Sequence, residues 1–196
     1  MPGWPSPGEG ALGQIECPAG RISGTAASEC RNCSLGTYAE QEGSSSCELA
    51  DEGYFVDKIG SSNQTKCAAG TYTDAEGRST CFPARPGYVV ETDGASTQTP
   101  CPAGTTSEPE ASKCDPCPSG SYTSAEGEAS CTLAKAGHYV KDSDRTKEIK
   151  CAPGFASPGS GASACFACSA GSFSEATGAI SCTFAKPGFF VAVDLP

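Results

Sequence analysis

Cys117-Pro118-Ser119-Gly120-Ser121-Tyr122-Thr123, with Gly127 and Ser130-Cys131 downstream, sets the pattern that the rest of this chain repeats. Its first glycine belongs to a series spaced 16 or 17 residues apart, which we call the layer glycines: Gly3, Gly20, Gly36, Gly53, Gly70, Gly87, Gly104, Gly120, Gly137, Gly154, Gly171 and Gly188. A period held along a whole chain indicates a stack of small repeated units. The sequence therefore predicts a solenoid or rod, and its function has to be argued from that shape.

The units are of two kinds. Seven units carry two cysteines each, 13 or 14 positions apart, and together they contain all 14 cysteines: Cys17/Cys30, Cys33/Cys47, Cys67/Cys81, Cys101/Cys114, Cys117/Cys131, Cys151/Cys165 and Cys168/Cys182. In the cysteine-less units alanine fills the first cysteine position and Gln or Glu the second, as in Ala50/Gln64, Ala84/Gln98 and Ala134/Glu148. We name each unit by these two positions, for example unit 50–64.

The alignment of the units also reaches both ends of the chain. Residues 1–16 form a partial cysteine-less unit, and residues 17–196 form a tandem array whose last unit, 185–196, is again partial. No distinct capping unit is visible, although repeat arrays normally close with one. We therefore expect a segment of a longer array, and a complete protein with imperfect terminal units is the alternative.

Composition explains the need for cysteines. Leu, Ile, Val and Phe total 24 of the 196 residues, far below the share of about 20% under which chains tend toward disorder. Ordering the backbone opposes folding by about 1–2 kcal/mol per residue, whereas a disulfide closing a short loop contributes roughly 3 kcal/mol. We expect a small disulfide-rich repeat fold: an elongated stack of 17-residue layers of short β-hairpin and coil, without a central core.

Each layer reads as one hairpin. Short β-prone runs such as Thr71-Tyr72-Thr73 follow the layer glycine, and a second glycine often comes seven residues after it, as Gly77 follows Gly70. We call this second glycine the turn glycine, because the pattern fits a hairpin with a glycine turn. No helical periodicity of useful length is present.

The cysteines favour pairing within each unit, although sequence alone leaves the connectivity open. Cys67 and Cys81 lie between two cysteine-less units, so each is the other's nearest partner. Three sequences are superficially similar to zinc knuckles or redox pairs: Cys30-x-x-Cys33, Cys114-x-x-Cys117 and Cys165-x-x-Cys168. A zinc site needs four converging ligands, and no second such pair lies at the required spacing. A chain with this many paired cysteines belongs in an oxidising compartment outside the cytosol.

The run from Cys117 to Cys131 resembles the ephrin-receptor-like cysteine-rich repeat, and it is similar to the single-disulfide submodule of tumour-necrosis-factor-receptor domains. The resemblance extends to nearly every cysteine-bearing unit, about two thirds of the chain. It implies an extracellular module in which the first cysteine pairs with the second. The crossed double-disulfide submodules of those receptors are absent, which favours a spacer over a ligand-binding domain.

Candidate catalytic and metal residues are few. The single histidine, His138, occupies the aromatic position of its unit, where packing is the ordinary role and catalysis the alternative. Lys141-Asp142-Ser143-Asp144-Arg145 offers two carboxylates, whereas calcium takes six or more oxygen ligands. We predict no enzyme activity, cofactor or metal. The net charge of −10 argues against nucleic-acid binding, and no apolar run is long enough for a membrane span.

Covalent glycans are the expected ligands. Asn63-Gln64-Thr65 is a glycosylation sequon on a predicted turn, and Asn32-Cys33-Ser34 is a weaker one because its central residue is expected in a disulfide. An unmodified hydrophilic surface is the alternative.

These features predict a secreted or cell-surface structural protein, a spacer in an extracellular rod, stalk or filament. We expect self-association, or stacking on neighbouring repeats of a longer chain. The alternative is a receptor or adhesion ectodomain that binds a protein ligand. A unit that breaks the pattern with exposed aromatic or Arg residues would favour it, and the nearest candidate is the cluster of Arg78, Phe82 and Arg85. For the structural role the important residues are the cystines, the layer glycines and an aromatic ladder of Trp4, Tyr54, Tyr88, Tyr139 and Phe189.

Overall fold

A computed structural model of the chain describes residues 14–192, so Trp4 and most of the predicted unit 1–16 lie outside the described residues. Within that range the chain forms ten two-stranded antiparallel hairpins and no helix. The strands are β1 (Arg21–Ile22), β2 (Arg31–Asn32), β3 (Thr37–Tyr38), β4 (Glu48–Leu49), β5 (Tyr54–Phe55), β6 (Thr65–Lys66), β7 (Thr71–Tyr72), β8 (Phe82–Pro83), β9 (Tyr88–Val89), β10 (Thr99–Pro100), β11 (Thr105–Thr106), β12 (Asp115–Pro116), β13 (Ser121–Tyr122), β14 (Thr132–Leu133), β15 (His138–Lys141), β16 (Asp144–Lys150), β17 (Phe155–Ala156), β18 (Phe166–Ala167), β19 (Ser172–Phe173) and β20 (Thr183–Phe184). The predicted fold class is confirmed.

Each hairpin is built in the same way. The first strand follows the layer glycine, and the second follows the second cysteine position, so that Thr71 pairs with Pro83 and Tyr72 with Phe82. Gly70 has a φ of +89°, a left-handed conformation that glycine adopts without steric strain. Apart from β15 and β16, each strand is two residues long, so a hairpin of this size is marginal by itself.

Backbone hydrogen bonds join consecutive units into a ladder. The N–H of Gly36 donates to the carbonyl of Val56 at 2.9 Å, and the N–H of Val56 donates to the carbonyl of Arg78 at 3.0 Å. In the return direction, the N–H of Gly77 donates to the carbonyl of Ala50 at 2.7 Å. The same three positions are used again in most of the other described units. Backbone N–H and carbonyl groups of one layer are therefore satisfied by partners in the neighbouring layers.

The interior is a thin line of small side chains. One row is the first cysteine position, where Cys33, Ala50 and Cys67 are fully buried. The other row lies three residues after each layer glycine and includes Val56 and Thr73, which are 2% and 0% exposed. The expected aromatic ladder lies outside this line: Tyr54, Tyr88 and Tyr139 are half-buried, and Phe189 is 75% exposed.

The buried threonines are satisfied within the stack. The hydroxyl of Thr73 accepts a hydrogen bond from the N–H of Gly53 at 2.7 Å and donates to the carbonyl of Tyr54 at 3.2 Å. Thr123 makes the same pair of bonds to Gly104 and Thr105. A buried hydroxyl is tolerated when it has both partners, so Thr can alternate with Val and Ala in this row.

Candidate functional site

Seven disulfides close the cysteine-bearing units, each within one unit: Cys17–Cys30, Cys33–Cys47, Cys67–Cys81, Cys101–Cys114, Cys117–Cys131, Cys151–Cys165 and Cys168–Cys182. Their Cα–Cα distances run from 5.6 to 5.8 Å, within the usual range for a disulfide. Residues 14–192 contain no free cysteine. The repeat is therefore cross-linked within its layers and hydrogen-bonded between them.

The Cys-x-x-Cys sequences are the junctions between layers. Cys30 is bonded to Cys17 and Cys33 to Cys47, so neighbouring cysteines belong to different disulfides. The two residues between them, Arg31–Asn32, form strand β2. Thiolates for a zinc or redox site are not available at such a junction.

The cysteine-less units carry a different cross-link in the same place. In unit 50–64, Gln64 Oε1 accepts a hydrogen bond from the N–H of Asp51 at 2.6 Å. In unit 84–98, Gln98 Oε1 accepts from the N–H of Arg85 at 2.8 Å. Gln or Glu occupies the second cysteine position in each of the three complete cysteine-less units, but the sequence alone gives no sign of its role. A side-chain acceptor bound to the backbone beside the alanine takes the place of the disulfide.

Unit 134–148 uses a carboxylate for this bond. Glu148 Oε2 accepts from the N–H of Lys135 at 2.9 Å, and Lys135 Nζ lies 3.2 Å from Glu148 Oε1. The hydrogen bond from the Lys135 backbone holds the pKa of Glu148 below its ordinary value, and the Lys135 ammonium acts in the same direction. The Glu148 side chain is largely covered, whereas the Lys135 side chain is exposed, so water screens the ion pair more than it screens the hydrogen bond to the backbone.

The same unit lacks the turn glycine. Asp144 occupies that position, and the hairpin extends into the longer strands β15 and β16 with an irregularity between Tyr139 and Lys141. In other units the N–H of the turn glycine reaches back to the preceding layer, as Gly60 does to the Cys33 carbonyl at 2.8 Å. Here Arg145 Nη1 donates to the equivalent carbonyl, that of Cys117. A guanidinium therefore replaces a backbone donor.

The two carboxylates of this turn, Asp142 and Asp144, both interact with side chains or backbone groups close to them in sequence. Asp142 Oδ1 lies 3.5 Å from Arg145 Nη2. Asp144 Oδ1 accepts hydrogen bonds from the hydroxyl and the N–H of Thr146, which hold the pKa of Asp144 below its ordinary value. Within residues 14–192, no group of three or more His, Cys, Asp or Glu side chains converges in a way that suits a metal ion.

The two sequon asparagines lie in different surroundings. Asn63 is exposed in the turn between β5 and β6, and Thr65 begins β6. Asn32 belongs to β2 and precedes the fully buried Cys33. A Cβ placed on Gly60 would lie 3.2 Å from Asn32 Oδ1, so Asn32 lies against the hairpin turn of unit 50–64.

His138 lies in strand β15, paired with Lys150, and is half-buried. Its Nδ1 is 3.2 Å from the carbonyl oxygen of Ala136. These are the contacts of a side chain that packs on its own hairpin.

Arg78, Phe82 and Arg85 are found in two separate stacked pairs. The Arg78 guanidinium lies 4.8 Å from the centre of the Phe82 ring, and the Arg85 guanidinium lies 4.8 Å from the centre of the Tyr88 ring. Tyr72 adds a tilted contact to Phe82, at 6.3 Å between ring centres. The residues of the sequence-predicted cluster therefore lie in two partly exposed arginine–aromatic pairs on neighbouring units.

Comparison with known families supports the extracellular assignment. Residues 20–67 match the family described as tyrosine-protein kinase ephrin type A/B receptor-like. The resemblance to ephrin-receptor-like repeats is confirmed. The matched segment contains the complete cysteine-bearing unit 33–47 and the cysteine-less unit 50–64, so both kinds of layer fall within it. No curated protein matches the chain.

Ephrin-receptor-like repeats are extracellular, cysteine-rich modules without catalytic function, and the seven disulfides agree with that description. In the part of the chain that the structure describes, no helix has the length and apolar character of a membrane span.

Proposed function

We propose that this chain is a spacer, a segment of an extracellular rod that forms part of a stalk or filament. The observation that carries the proposal is the ladder of backbone hydrogen bonds. It runs from Gly20, bonded to Ala39 at 2.8 Å, to Gly154, bonded to Ser174 at 2.9 Å, and it crosses cysteine-less layers as readily as disulfide-closed ones. A repeat array held by nearest-neighbour contacts can be lengthened without changing its design, which suits a spacer.

Contacts beyond the next layer support stiffness. A Cβ on Gly36 would lie 2.0 Å from the carbonyl oxygen of Gly77, which belongs to the second unit after it. The same close approach recurs between Gly53 and Gly94 at 2.1 Å and between Gly137 and Gly178 at 2.1 Å. A layer of this kind contacts both the next layer and the second layer after it. Bending the rod at one interface between layers therefore strains a second interface as well.

Self-association is part of the proposal, and the distribution of charge supports it. Residues 134–192 carry six basic residues (Lys or Arg) and four acidic ones (Asp or Glu). Residues 14–133 carry seven basic residues and seventeen acidic ones. A weakly basic segment and a strongly acidic one on the same rod favour contact between staggered copies. Such contacts weaken as salt screens them.

Electron microscopy of the native protein at micromolar concentration tests the proposal. Fibres that shorten into rods at high salt are expected for a filament, and discrete rods at all salt concentrations are expected for a stalk. Compact particles with similar length and width would contradict both.

We also propose that Asn63 carries an N-linked glycan, because its side chain is exposed on a hairpin turn. Intact-mass measurement before and after treatment with an N-glycosidase tests this, with Asn63→Gln and Asn32→Gln as matched variants. The mass shift should disappear in Asn63→Gln and remain in Asn32→Gln. A native mass equal to that of the bare polypeptide would contradict it.

A protein-binding ectodomain is the second candidate, favoured by the surface around Phe82 and Tyr88. Arginine and aromatic side chains are enriched at energetically important interface positions. Binding of the labelled chain to its source cells should then be displaced by excess unlabelled chain and not by the Arg78→Ala/Arg85→Ala variant. Equal displacement by both would exclude this surface.

A further inference from the structure

The three complete cysteine-less units are closed by the same bond but by different chemistry. Gln64 and Gln98 are amides, which carry no charge at any pH of interest, whereas Glu148 is a carboxylate. A hydrogen bond to an ionised acceptor is stronger than one to a neutral acceptor. The acceptor that closes unit 134–148 can therefore be protonated, whereas the amide acceptors of units 50–64 and 84–98 cannot. Because Gln64 Nε2 also donates to Asp51 Oδ2, unit 84–98 is the reference whose closure contains no carboxylate.

The groups around Glu148 favour its ionised form. Lys135 and His138, both of its own unit, are the charged and titratable groups that act on it directly. The following unit, 151–165, contains no charged residue, and the preceding unit, 117–131, contains Glu126 and Glu128. Glu128 Oε1 is held at its own turn by the N–H groups of Ser124 and Ala125, at 3.0 and 2.8 Å.

Protonation would place a carboxylic acid beside the Lys135 ammonium. The oxygen that is 3.2 Å from Lys135 Nζ either carries the proton or remains a weaker, neutral acceptor. In the first case two donors face each other. In the second the ion pair is reduced to a bond between an ammonium and a neutral oxygen, and the proton lies on Oε2, the atom that accepts from the Lys135 N–H.

The connection of this unit to the preceding layer also depends on a charged side chain. Arg145 donates to the Cys117 carbonyl where other units use the backbone N–H of a turn glycine, and Asp142 lies beside the guanidinium. No disulfide constrains the unit if these bonds weaken, because its two cysteine positions are Ala134 and Glu148.

We propose that unit 134–148 is an acid-sensitive joint, which loosens on protonation of Glu148 while the disulfide-closed units 117–131 and 151–165 on either side stay intact. At neutral pH the array is continuous through this unit. In acid it becomes two stiff blocks connected at a flexible layer. The inference concerns this one layer and does not depend on the spacer role.

The direction of the pH effect follows from the pKa of Glu148. Its value in the folded state is lower than in the unfolded chain, where a glutamate has a pKa of about 4.3. The stabilisation is therefore complete above the unfolded value and is lost as the pH falls through the lower, folded value.

Amide hydrogen exchange of the intact chain, followed by NMR, tests the joint. The reporter is the N–H of Lys135, which is bound to Glu148, and the internal control is the N–H of Arg85, which is bound to Gln98. From about pH 6 to about pH 3, across the pKa range of glutamate, the protection factor of the Lys135 amide should fall several-fold while that of Arg85 is maintained.

Glu148→Gln is the matched variant, because it installs the acceptor that units 50–64 and 84–98 already use. It should remove most of the pH dependence of the Lys135 protection factor. Equal protection of the wild-type Lys135 amide at both ends of the pH range would overturn the proposal. So would a parallel loss of protection at Lys135 and Arg85, because the whole array would then be opening.

Discussion

The layer glycines act through the space they leave empty as much as through their backbone conformation. Gly36 has a φ of +77°, and a Cβ added to it would lie 2.0 Å from the carbonyl oxygen of Gly77. Gly104 has a φ of +85°, yet its nearest neighbour would be Arg145 at an ordinary 3.5 Å. The difference arises because unit 134–148, the second unit after Gly104, has the extended β15–β16 hairpin in place of the tight turn of the other units. The two glycines therefore share one backbone requirement and differ in packing.

We predict that Gly36→Ala destabilises the array by at least about 2 kcal/mol, because it combines left-handed strain with a backbone clash that cannot relax. Gly104→Ala, which carries the strain alone, should cost about 1 kcal/mol. Thermal unfolding of the oxidised protein, supported by limited proteolysis near the substitution, measures the difference. Equal losses in the two variants would mean that the approach between second-neighbour layers is not tight.

At the scale of the element, each hairpin needs one cross-link, and the fold accepts two kinds. A disulfide and a Gln side chain both connect the start of a unit to the residue that precedes its second strand. The disulfide acts mainly on the unfolded chain, whereas a neutral hydrogen bond contributes about 1 kcal/mol. Cysteine-less layers therefore depend more heavily on the ladder to their neighbours.

The equivalence of the two cross-links predicts that Ala84→Cys/Gln98→Cys forms an eighth disulfide. The native disulfides at the equivalent positions of the cysteine-bearing units span Cα–Cα distances of 5.6–5.8 Å, so we expect the new pair to fit without backbone movement. We expect a gain of up to about 3 kcal/mol in the free energy of unfolding. Thiol titration and thermal unfolding provide the measurement, with Ala84→Cys alone as the control. Two free thiols in the folded double variant would contradict the structural alignment of the units.

The sequence was informative about elements and less so about the bonds between them. The spacing of Gly70, Gly77 and Cys81 predicted a closed hairpin, because turn glycines and cysteines are local signals. The role of Gln98 was missed because a single side-chain bond to the backbone leaves no periodicity in hydrophobicity. Arg145 was missed for a related reason: its partner, the Cys117 carbonyl, lies 28 residues away and carries no side-chain signature. The close approach of Gly36 to Gly77 could not be predicted either, because the sequence does not show that a layer also packs against the second layer after it.

On the scale of the whole molecule, the chain is close to one-dimensional. Among the described residues, hydrogen bonds join positions no more than 28 apart, so each layer is held only by layers near it in sequence. Short-range contacts of this kind let folding begin in one unit and propagate. They also mean that the array has a long axis and a cross-section about one layer wide, which is the shape that a spacer requires.

Small-angle X-ray scattering of the oxidised, monomeric chain at neutral pH is the most direct test of that shape. A compact protein of 196 residues would have a radius of gyration of about 16 Å. For the stacked array we predict a clearly larger radius of gyration, an asymmetric distance distribution with a long tail, and a constant cross-section. A symmetric distribution with a radius near 16 Å, or the featureless scattering of a flexible chain, would contradict it.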